Sequence, residues 1–352
     1  MAFLVSVMLV LSKHIHGKHT LDSDDGVQKF HTSPTPRIGG VALIAGFFVS
    51  WVFMEGEART LWALIGLAGL PALICGLAED ITKKVSVKWR LLVTILSGLL
   101  FAMVSGYAIT AVDVPGLDTL LALPLVAFAF TAFAVGGVAN SINLIDGFHG
   151  LASGTLMIIL LAFALVGLRV GDVVLVSIAV TMLMVVAGFF VVNFPGGKLF
   201  LGDAGAYFAG YVVAVLAVML PARNPEVSPW VSLLILGYPV TETLFSILRR
   251  QRKAGHGAGD PDSDHLHHMV HRGWAVGLTQ NMRWPEAKNA MTSVLIWALP
   301  AITLLAAVFS DLGTAEAIIF LVLAIIVYLV FYRASVAAGR RQASKLRGKM
   351  PL

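Results

Sequence analysis

The sequence predicts an all-α membrane protein, a polytopic bundle of about eleven transmembrane helices. Hydrophobic residues make up 58% of the chain and charged residues 13%, whereas a soluble globular protein has about 25% charged residues. The mean hydropathy is +0.85. Long apolar runs recur along the whole chain, so we expect one integral membrane domain over residues 1–352 and no soluble domain.

Apolar runs of about 17–25 residues are long enough to cross the hydrocarbon layer of a bilayer. The first run is too short for a layer about 30 Å thick, so we expect either a start further upstream or a helix that tilts into the bundle. It lacks the basic segment of a cleaved signal peptide, which favours a retained helix. The predicted spans are 1–11, 38–54, 60–78, 88–108, 119–139, 151–168, 172–192, 204–221, 229–248, 291–310 and 313–332.

Basic residues predict the topology, because loops rich in Lys and Arg stay in the cytoplasm. With the N-terminus outside and the C-terminus in the cytoplasm, 22 of the 25 Lys and Arg residues lie on the cytoplasmic side. The net charge of +5 therefore reflects topology and favours anionic membrane lipids as partners, not nucleic acid. The single Cys75 excludes a disulfide framework. The cytoplasmic loops are 12–37, 79–87, 140–150, 193–203 and 249–290.

Loop 79–87 begins with the adjacent acids Glu79 and Asp80 at the end of an apolar helix. Two carboxylates at a membrane boundary repel each other and resist desolvation, so a cation should neutralise them. A metal ion is one candidate, and the nearby lysines are others; a solvated helix end is an equally good interpretation. These lysines are Lys83, Lys84 and Lys88.

Loop 140–150 contains Asn140, Asn143 and Asp146, which recur every three residues. On a helix this spacing places all three side chains on one face. Unpaired amides and carboxylates are unfavourable on an apolar helix, so either an interhelical network or a ligand should satisfy them. We favour a hydrated cation or a sugar–phosphate, next to the flexible Gly147 and Gly150.

Loop 193–203 ends in Gly202-Asp203 at the start of a predicted helix. Asp203 suits a simple N-cap. The glycines around it, Gly202 and Gly205, together with Lys198, also suit a backbone that approaches a phosphate.

Loop 249–290 combines three Asp residues with a cluster of His residues. Their helical spacings suit Zn²⁺, but no Glu follows a His as in HExxH metalloproteases. Binding of an anion such as pyrophosphate by His and Arg272 is the alternative, and a polar surface loop is the third interpretation. The residues concerned are Asp260, Asp262, Asp264, His265, His267, His268 and His271.

Loop 12–37 brings positive charge to the same predicted face. Lys29, His31 and Arg37 suit a lipid phosphate, while Pro34 and Pro36 stiffen the chain before the second helix.

Together these segments resemble the polyprenyl-phosphate N-acetylhexosamine-1-phosphate transferase family, whose integral membrane enzymes start the synthesis of cell-surface glycans. Each motif alone is weak, but five in order over nearly the whole chain are specific. They are Pro-x-Pro-Arg-x-Gly-Gly at 34–40, Gly-Leu-Ala-Glu-Asp at 76–80, Asn-x-x-Asn-x-x-Asp-Gly-x-x-Gly-Leu at 140–151, Phe-Leu-Gly-Asp-Ala-Gly at 200–205 and His-x-His-His at 265–268.

The resemblance implies a phosphoryl transfer at the cytoplasmic face of the bacterial inner membrane. Undecaprenyl phosphate would attack the sugar-bearing phosphorus of a UDP-N-acetylhexosamine, and UMP would leave. Mg²⁺, or Mn²⁺ in its place, would bridge the diphosphate. The product would start a glycan such as the O-antigen of lipopolysaccharide, teichoic acid or peptidoglycan. A homodimer is left open.

The same resemblance assigns roles to individual residues. Asp203 matches the metal-binding Asp of the family. Asp80, with Glu79, matches the acidic pair that would share the metal and position or deprotonate the lipid phosphate; because the second pKa of such a phosphate is about 6, base catalysis would matter little. The substrate-binding candidates are Asn140, Asn143 and Asp146 on the nucleotide side, His265, His267 and His268 at the diphosphate and sugar, and Lys29, His31 and Arg37 at the lipid phosphate.

Three positions depart from patterns in the family. Glu79 and His149 each stand where the family usually has Asp. Glu79 keeps the charge on a side chain about one methylene longer, whereas the role of the second Asp does not transfer to His149. Leu266 interrupts the run of three His found in the branch that uses a UDP-MurNAc-peptide, which favours a simple UDP-N-acetylaminosugar. UDP-GlcNAc is the default donor, with UDP-GalNAc and other N-acetylaminosugars left open.

Two rival hypotheses remain at this level. A transporter would also have many helices and membrane acids, but its charges would lie near the midplane in repeated halves, and no repeat is visible here. An inactive relative that acts as an assembly partner is the other, with Glu79 and His149 as its first signs.

Overall fold

The computed structural model describes residues 1–22, 34–252 and 264–347, so the predicted site residues Lys29 and His31 lie outside the described residues. The described part of the chain is mostly helical and contains one antiparallel pair of two-residue strands, β1 (Leu21–Asp22) and β2 (Thr35–Pro36). The helices are α1 (Ala2–Leu11), α2 (Lys13–Thr20), α3 (Gly39–Ser50), α4 (Gly56–Thr82), α5 (Val87–Ser105), α6 (Leu117–Leu121), α7 (Pro124–Leu144), α8 (Leu151–Val170), α9 (Val173–Asn193), α10 (Gly202–Arg223), α11 (Pro229–Ile235), α12 (Gly237–Gln251), α13 (Leu266–Val270), α14 (Val276–Leu278), α15 (Ala287–Ile296), α16 (Ala298–Phe309) and α17 (Thr314–Arg347).

The predicted membrane bundle is confirmed. Within the described ranges, eight helical segments are long and apolar enough to cross a bilayer, with α15 and α16 forming one of them. The helices α11 and α12 form a ninth candidate that bends by 79° between them. Two shorter apolar helices, α1 and α3 with its 3₁₀ extension to Phe53, correspond to the first two predicted runs. The number that cross and the sides of the termini stay predictions.

Helix α10 forms the centre of the bundle. Within its apolar stretch 89% of the residues are buried, against 17% for α17, which lies at the periphery. Small residues let the neighbouring helices approach it closely. A Cβ on Gly76 of α4 would lie 2.5 Å from the Ala204 Cα, and a Cβ on Gly210 would lie 2.9 Å from the Ala139 Cα of α7. The first turn of α10 is therefore pressed against α4.

The far end of α10 is fixed by a polar network. The Arg223 guanidinium donates to Asp172 at 2.7 Å, to Tyr107 at 2.6 Å and to Glu57. Asn224 also donates to Asp172. A helix of 22 residues is about 33 Å long, so this network lies a membrane thickness away from Asp203.

Candidate active site at the start of helix α10

Asp203 lies in the first turn of α10 and is 1% exposed. Its carboxylate accepts hydrogen bonds from the guanidinium groups of Arg37 and Arg90 and from Asn143 Nδ2 at 3.1 Å. Gly202 just before it has a φ of +75°, a conformation that favours glycine. Three segments that are far apart in sequence therefore meet at one buried carboxylate.

Asp80 caps this helix from outside. Its two carboxylate oxygens accept from the backbone N–H groups of Asp203 at 2.8 Å and Ala204 at 2.9 Å. A negative charge at a helix N-terminus satisfies unpaired donors and opposes the helix dipole. A Cβ on Gly202 would lie 2.7 Å from the Asp80 Oδ2, so this approach requires glycine. The capping role expected for Asp203 belongs to Asp80; the metal and catalytic roles of Asp80 stay predictions.

Arg37 is held in place by the backbone on both sides of it. The Phe200 N–H donates to the Pro36 carbonyl, and the Gly39 N–H donates to the Phe200 carbonyl, both at 2.9 Å. The Arg37 N–H donates to Thr20 at 2.8 Å. The side chain of Arg37 remains 37% exposed, so its guanidinium faces both Asp203 and the surface.

Arginines neutralise the acidic pair, and the lysines, which were one of the alternatives, do not. Arg90 lies 3.9 Å from Glu79 and also binds Asp203, while the Arg37 Nε lies 3.7 Å from Asp80. The other Glu79 oxygen accepts from the Val85 N–H at 2.7 Å. Lys88 is the second residue of α5 and Arg90 the fourth, and the helix turns Arg90 toward the site. The exposed lysines concerned are Lys83, Lys84 and Lys88.

The three residues Asn140, Asn143 and Asp146 do not share one helix face, because α7 ends at Leu144. Asn140 donates to the Thr94 hydroxyl of α5 at 2.8 Å and does not contact Asp203. Asn143 contacts Asp203 directly. Asp146 lies in the following turn and approaches the Gly202 N–H. Two of the three predicted residues therefore meet at the start of α10.

The environment of Asp146 shifts the pKa of its carboxyl group. The side chain is partly accessible, but the surrounding protein raises its pKa to about 7. The Asp203 carboxylate also raises this pKa, while Arg37 and the Gly202 N–H lower it. Asp146 therefore changes charge near neutral pH, and a nearby cation would favour its ionised form.

The late His residues lie on the other side of the same turn. His265 Nδ1 lies 2.9 Å from the Glu242 carboxylate of α12. The His267 ring packs against Phe148 with centroids 5.5 Å apart, and a Cβ on Gly147 would lie 3.1 Å from its Nε2. Among the described residues, the buried His267 Nδ1 has no hydrogen-bond partner. An unpaired buried nitrogen is unusual and often marks a ligand site.

Three of these rings are neutral at pH 7. Burial lowers the pKa of His268 and of His271 to about 4, helped by Arg272 in both cases. Burial and the neighbouring His268 hold the pKa of His267 well below its usual range. A neutral imidazole both donates and accepts, so this segment suits polar groups of a donor as well as its phosphates.

His149 stands where the family usually has Asp, and its ring packs against the loop before α10. It is 4% exposed, and its Nδ1 lies 3.3 Å from the Pro195 carbonyl. A Cβ on Gly197, whose φ is +60°, would lie 2.3 Å from the ring. His149 therefore supports the loop before α10. Lys198 in that loop is exposed.

Sequence analysis missed three residues that contact the site. Arg90 was counted as a topological charge but binds Asp203. The Tyr207 hydroxyl, one turn along α10, donates to Asn143 at 3.1 Å. Glu242 is fully buried and holds His265. Glu242 had a usable signal, since an ionisable residue inside an apolar run marks function by default.

The fit to a divalent cation can be judged from the donor set. The described ranges contain no group of three or more His, Cys, Asp or Glu side chains that could hold a metal ion. Mg²⁺, however, usually takes one or two protein carboxylates and completes its shell with water and substrate phosphates. Asp203 and Asp146 are close enough to affect each other's charge, so they fit that pattern. Asp80 fits less well because both its oxygens cap α10.

The arrangement therefore suits a phosphorylated ligand that reaches the end of the bundle. Two guanidinium groups and a helix N-terminus attract phosphate, and two carboxylates suit a cation that bridges phosphates.

Comparisons with known proteins agree with this chemistry. Residues 61–221 match the model of glycosyl transferase family 4. A probable undecaprenyl-phosphate N-acetylglucosaminyl 1-phosphate transferase of Bacillus subtilis (strain 168) is 30% identical over 292 residues, which cover 80% of this chain and 78% of the relative.

Two further relatives widen the comparison. A phospho-N-acetylmuramoyl-pentapeptide-transferase of Streptococcus thermophilus (strain CNRZ 1066) is 28% identical, with 79% of this chain and 85% of the relative covered. A decaprenyl-phosphate N-acetylglucosaminephosphotransferase of Mycobacterium tuberculosis (strain ATCC 25618 / H37Rv) is 28% identical over 68% of this chain and 66% of the relative. The family resemblance is thus confirmed, and the chain belongs to glycosyl transferase family 4, the polyprenyl-phosphate hexosamine-1-phosphate transferases.

Proposed function

We propose that the protein transfers N-acetylglucosamine 1-phosphate from UDP-N-acetylglucosamine to undecaprenyl phosphate. A phosphate oxygen of the lipid attacks the sugar-bearing phosphorus, the bond between the two donor phosphates breaks, and UMP leaves. The product, undecaprenyl diphosphate N-acetylglucosamine, starts a cell-surface glycan. The observation that supports this most is the meeting of Arg37, Arg90 and Asp203 at the N-terminus of α10. The Bacillus subtilis relative is named as a probable undecaprenyl-phosphate N-acetylglucosaminyl 1-phosphate transferase.

The choice of donor rests on Leu266. It interrupts the His run and is fully buried. His265 lies in the turn before α13, and His267 and His268 lie within that helix. This arrangement differs from three consecutive His and supports a donor without a peptide. Contacts to the sugar ring decide between N-acetylaminosugars.

The two arginines bring two anions together. Arg37 is partly exposed and lies beside the surface, so it binds the incoming lipid phosphate. Arg90 is 18% exposed and lies deeper, so it binds the donor diphosphate. Each guanidinium that turns to a phosphate releases part of the Asp203 carboxylate, and neutral His267 offers its unpaired Nδ1 to the donor.

Asp203 and Asp146 would hold Mg²⁺, which supplies positive charge to the donor diphosphate. A bound cation would favour the ionised form of Asp146, whose pKa is about 7 in its absence. Asp80 keeps the first turn of α10 in position for this pair.

The site faces the cytoplasm of the bacterial inner membrane. The excess of Lys and Arg in the loops at this end supports that orientation. A cysteine introduced at the exposed Lys198 tests it: labelling by an impermeant maleimide in cells only after permeabilisation supports the cytoplasmic side, and labelling of intact spheroplasts contradicts it.

The activity is tested by UMP release from detergent-purified protein with undecaprenyl phosphate, Mg²⁺ and a panel of UDP-sugars. Lipid-dependent release with UDP-N-acetylglucosamine supports the proposal, and release with another donor alone would correct the sugar. Asp203→Asn should abolish turnover in folded protein. Asp172→Asn, a buried carboxylate at the opposite end, is the matched control and should remain active. Folded wild-type protein that is silent across the panel would favour an inactive relative.

A further inference from the structure

A second buried carboxylate lies outside the Asp203 cluster. Glu242 on α12 is 0% exposed, and the reaction chemistry above does not use it. We infer that Glu242 is a positioning residue that fixes the ring of His267 against the turn of residues 145–150 and thereby controls donor binding. This inference rests on the proposed function, because it assigns the His segment (residues 265–271) to the donor.

Glu242 connects three parts of the chain. Its Oε1 lies 2.9 Å from His265 Nδ1 and accepts from Ser246 at 3.2 Å and the Leu266 N–H at 3.4 Å. Its Oε2 accepts from the Tyr328 hydroxyl of α17 at 2.7 Å. Every oxygen of the buried carboxylate is thus used to hold the His segment between α12 and α17.

The contacts also set which nitrogen of His265 has the proton. Because Nδ1 faces the carboxylate, it donates to Glu242, and Nε2 then accepts from Arg250, whose Nη2 lies 3.3 Å away. Both edges of the ring are fixed, so the ring has one orientation.

His265 passes this orientation to His267. The two rings are nearly parallel, with centroids 5.3 Å apart and an interplanar angle of 15°. The His267 ring in turn packs against Gly147 and Phe148, next to Asp146. A shift of His265 therefore moves the unpaired Nδ1 of His267 relative to the Asp146 side of the site.

Stability alone does not account for a charge at this position. A buried ion pair is rarely more stabilising than well-packed apolar residues of the same volume. A carboxylate that bonds three elements instead gives the His segment a defined orientation, which is what donor recognition requires.

The kinetic test compares Glu242→Gln with Glu242→Asp. The amide of Gln keeps the shape of the side chain but places an N–H₂ group where the carboxylate accepted hydrogen bonds. We therefore expect the KM for UDP-N-acetylglucosamine to rise about tenfold, while the KM for undecaprenyl phosphate changes by less than about twofold. Asp keeps the charge and should recover part of the donor KM. Equal changes in both KM values, or a wild-type donor KM in folded Glu242→Gln, would overturn the inference.

A second readout does not need turnover. Diethylpyrocarbonate modifies accessible neutral imidazoles, and mass spectrometry locates the products. We expect slow modification of His265 and His267 in the wild type and at least about tenfold faster modification in Glu242→Gln, since both rings are released. The exposed His14 is the internal control. Unchanged modification of both rings would overturn the inference, even if the protein proves to have another activity.

Two further variants guard against a general folding defect. Tyr328→Phe removes one bond to Glu242 and keeps the charge, so it should change donor KM and modification in the same direction by a smaller factor. Asp172→Asn should alter neither. If Glu242→Gln does not fold, Tyr328→Phe decides: a wild-type donor KM and wild-type modification in that variant would refute the inference.

Discussion

Replacement of Asp80 by Asn separates a structural role from a chemical one. The carboxylate accepts two backbone N–H groups at the buried start of α10. Asn keeps one acceptor oxygen and turns its N–H₂ group toward the second donor, so one bond to a charged group is lost and one buried N–H is left unpaired. A bond of this kind contributes about 1.5–3 kcal/mol, and the lost charge at the helix N-terminus adds up to about 1 kcal/mol.

We therefore expect Asp80→Asn to lose about 2–4 kcal/mol of stability, which corresponds to a decrease in Tm of roughly 5–10 °C. The assay is thermal unfolding in detergent, with UMP release measured on the same samples. Turnover should fall as well, because Asp203 lies on the turn that Asp80 caps.

Asp118 provides the matched control. Its carboxylate also accepts two backbone N–H groups, from Val112 and Val114, but it is partly exposed and lies away from the site. Asp118→Asn should lose less than half as much stability, because water replaces the lost bond, and should keep its activity. An unchanged Tm in Asp80→Asn together with lost turnover would refute capping and assign Asp80 to the metal or to the lipid phosphate.

Three further predictions concern charge. Arg90→Lys keeps the positive charge but loses the planar guanidinium, whose Nη1 binds Asp203 and lies 3.9 Å from Glu79, so kcat should fall about tenfold or more. A wild-type kcat would contradict a role for the guanidinium. His268 and His271 have pKa values of about 4 in the folded protein against about 6.5 when unfolded. The unfolded chain thus binds more protons between these pH values, so stability should fall by about 2–3 kcal/mol for each ring as pH drops from about 6.5 to 4. His271→Gln should flatten the dependence of Tm on pH. A Tm curve parallel to that of the wild type would contradict this prediction. Asp172→Asn leaves Arg223 without its main partner and should lower Tm by several degrees while donor KM stays constant, so a raised donor KM would show that the two ends of α10 are coupled.

The predictable part of the structure follows from apolar run lengths and charge. A run of about 20 apolar residues has few alternatives to a helix in a membrane, and alternating spans place every second loop at the same end. Four of the five loops named from the sequence supply Arg37, Asp80, Asn143, Asp146 and Asp203, which meet at the start of α10.

The unpredicted part depends on how helices pack against each other. Asp80 caps α10 because Gly76 lets the two helices approach to van der Waals contact, and no local pattern around residue 80 specifies that approach. The end of α7 at Leu144 moved Asp146 off the face it was expected to share. Arg90, and not a nearer lysine, reaches Asp203 because of the rotation of α5 about its axis, a quantity that sequence spacing alone does not set.

Helix α17 runs without a break from its membrane-spanning part into the aqueous phase. Near its start, Thr314 bonds Ser228 at 2.8 Å; at Tyr328 it bonds Glu242; further on, Ser335 accepts from the Trp274 indole at 3.1 Å. Each added residue turns a helix by about 100° and lengthens it by about 1.5 Å. The lipid-facing positions between Thr314 and Tyr328 are therefore free to change in identity but not in number, since one insertion there would rotate Tyr328 away from Glu242 and Ser335 away from Trp274. In this helix, length is under stricter constraint than composition.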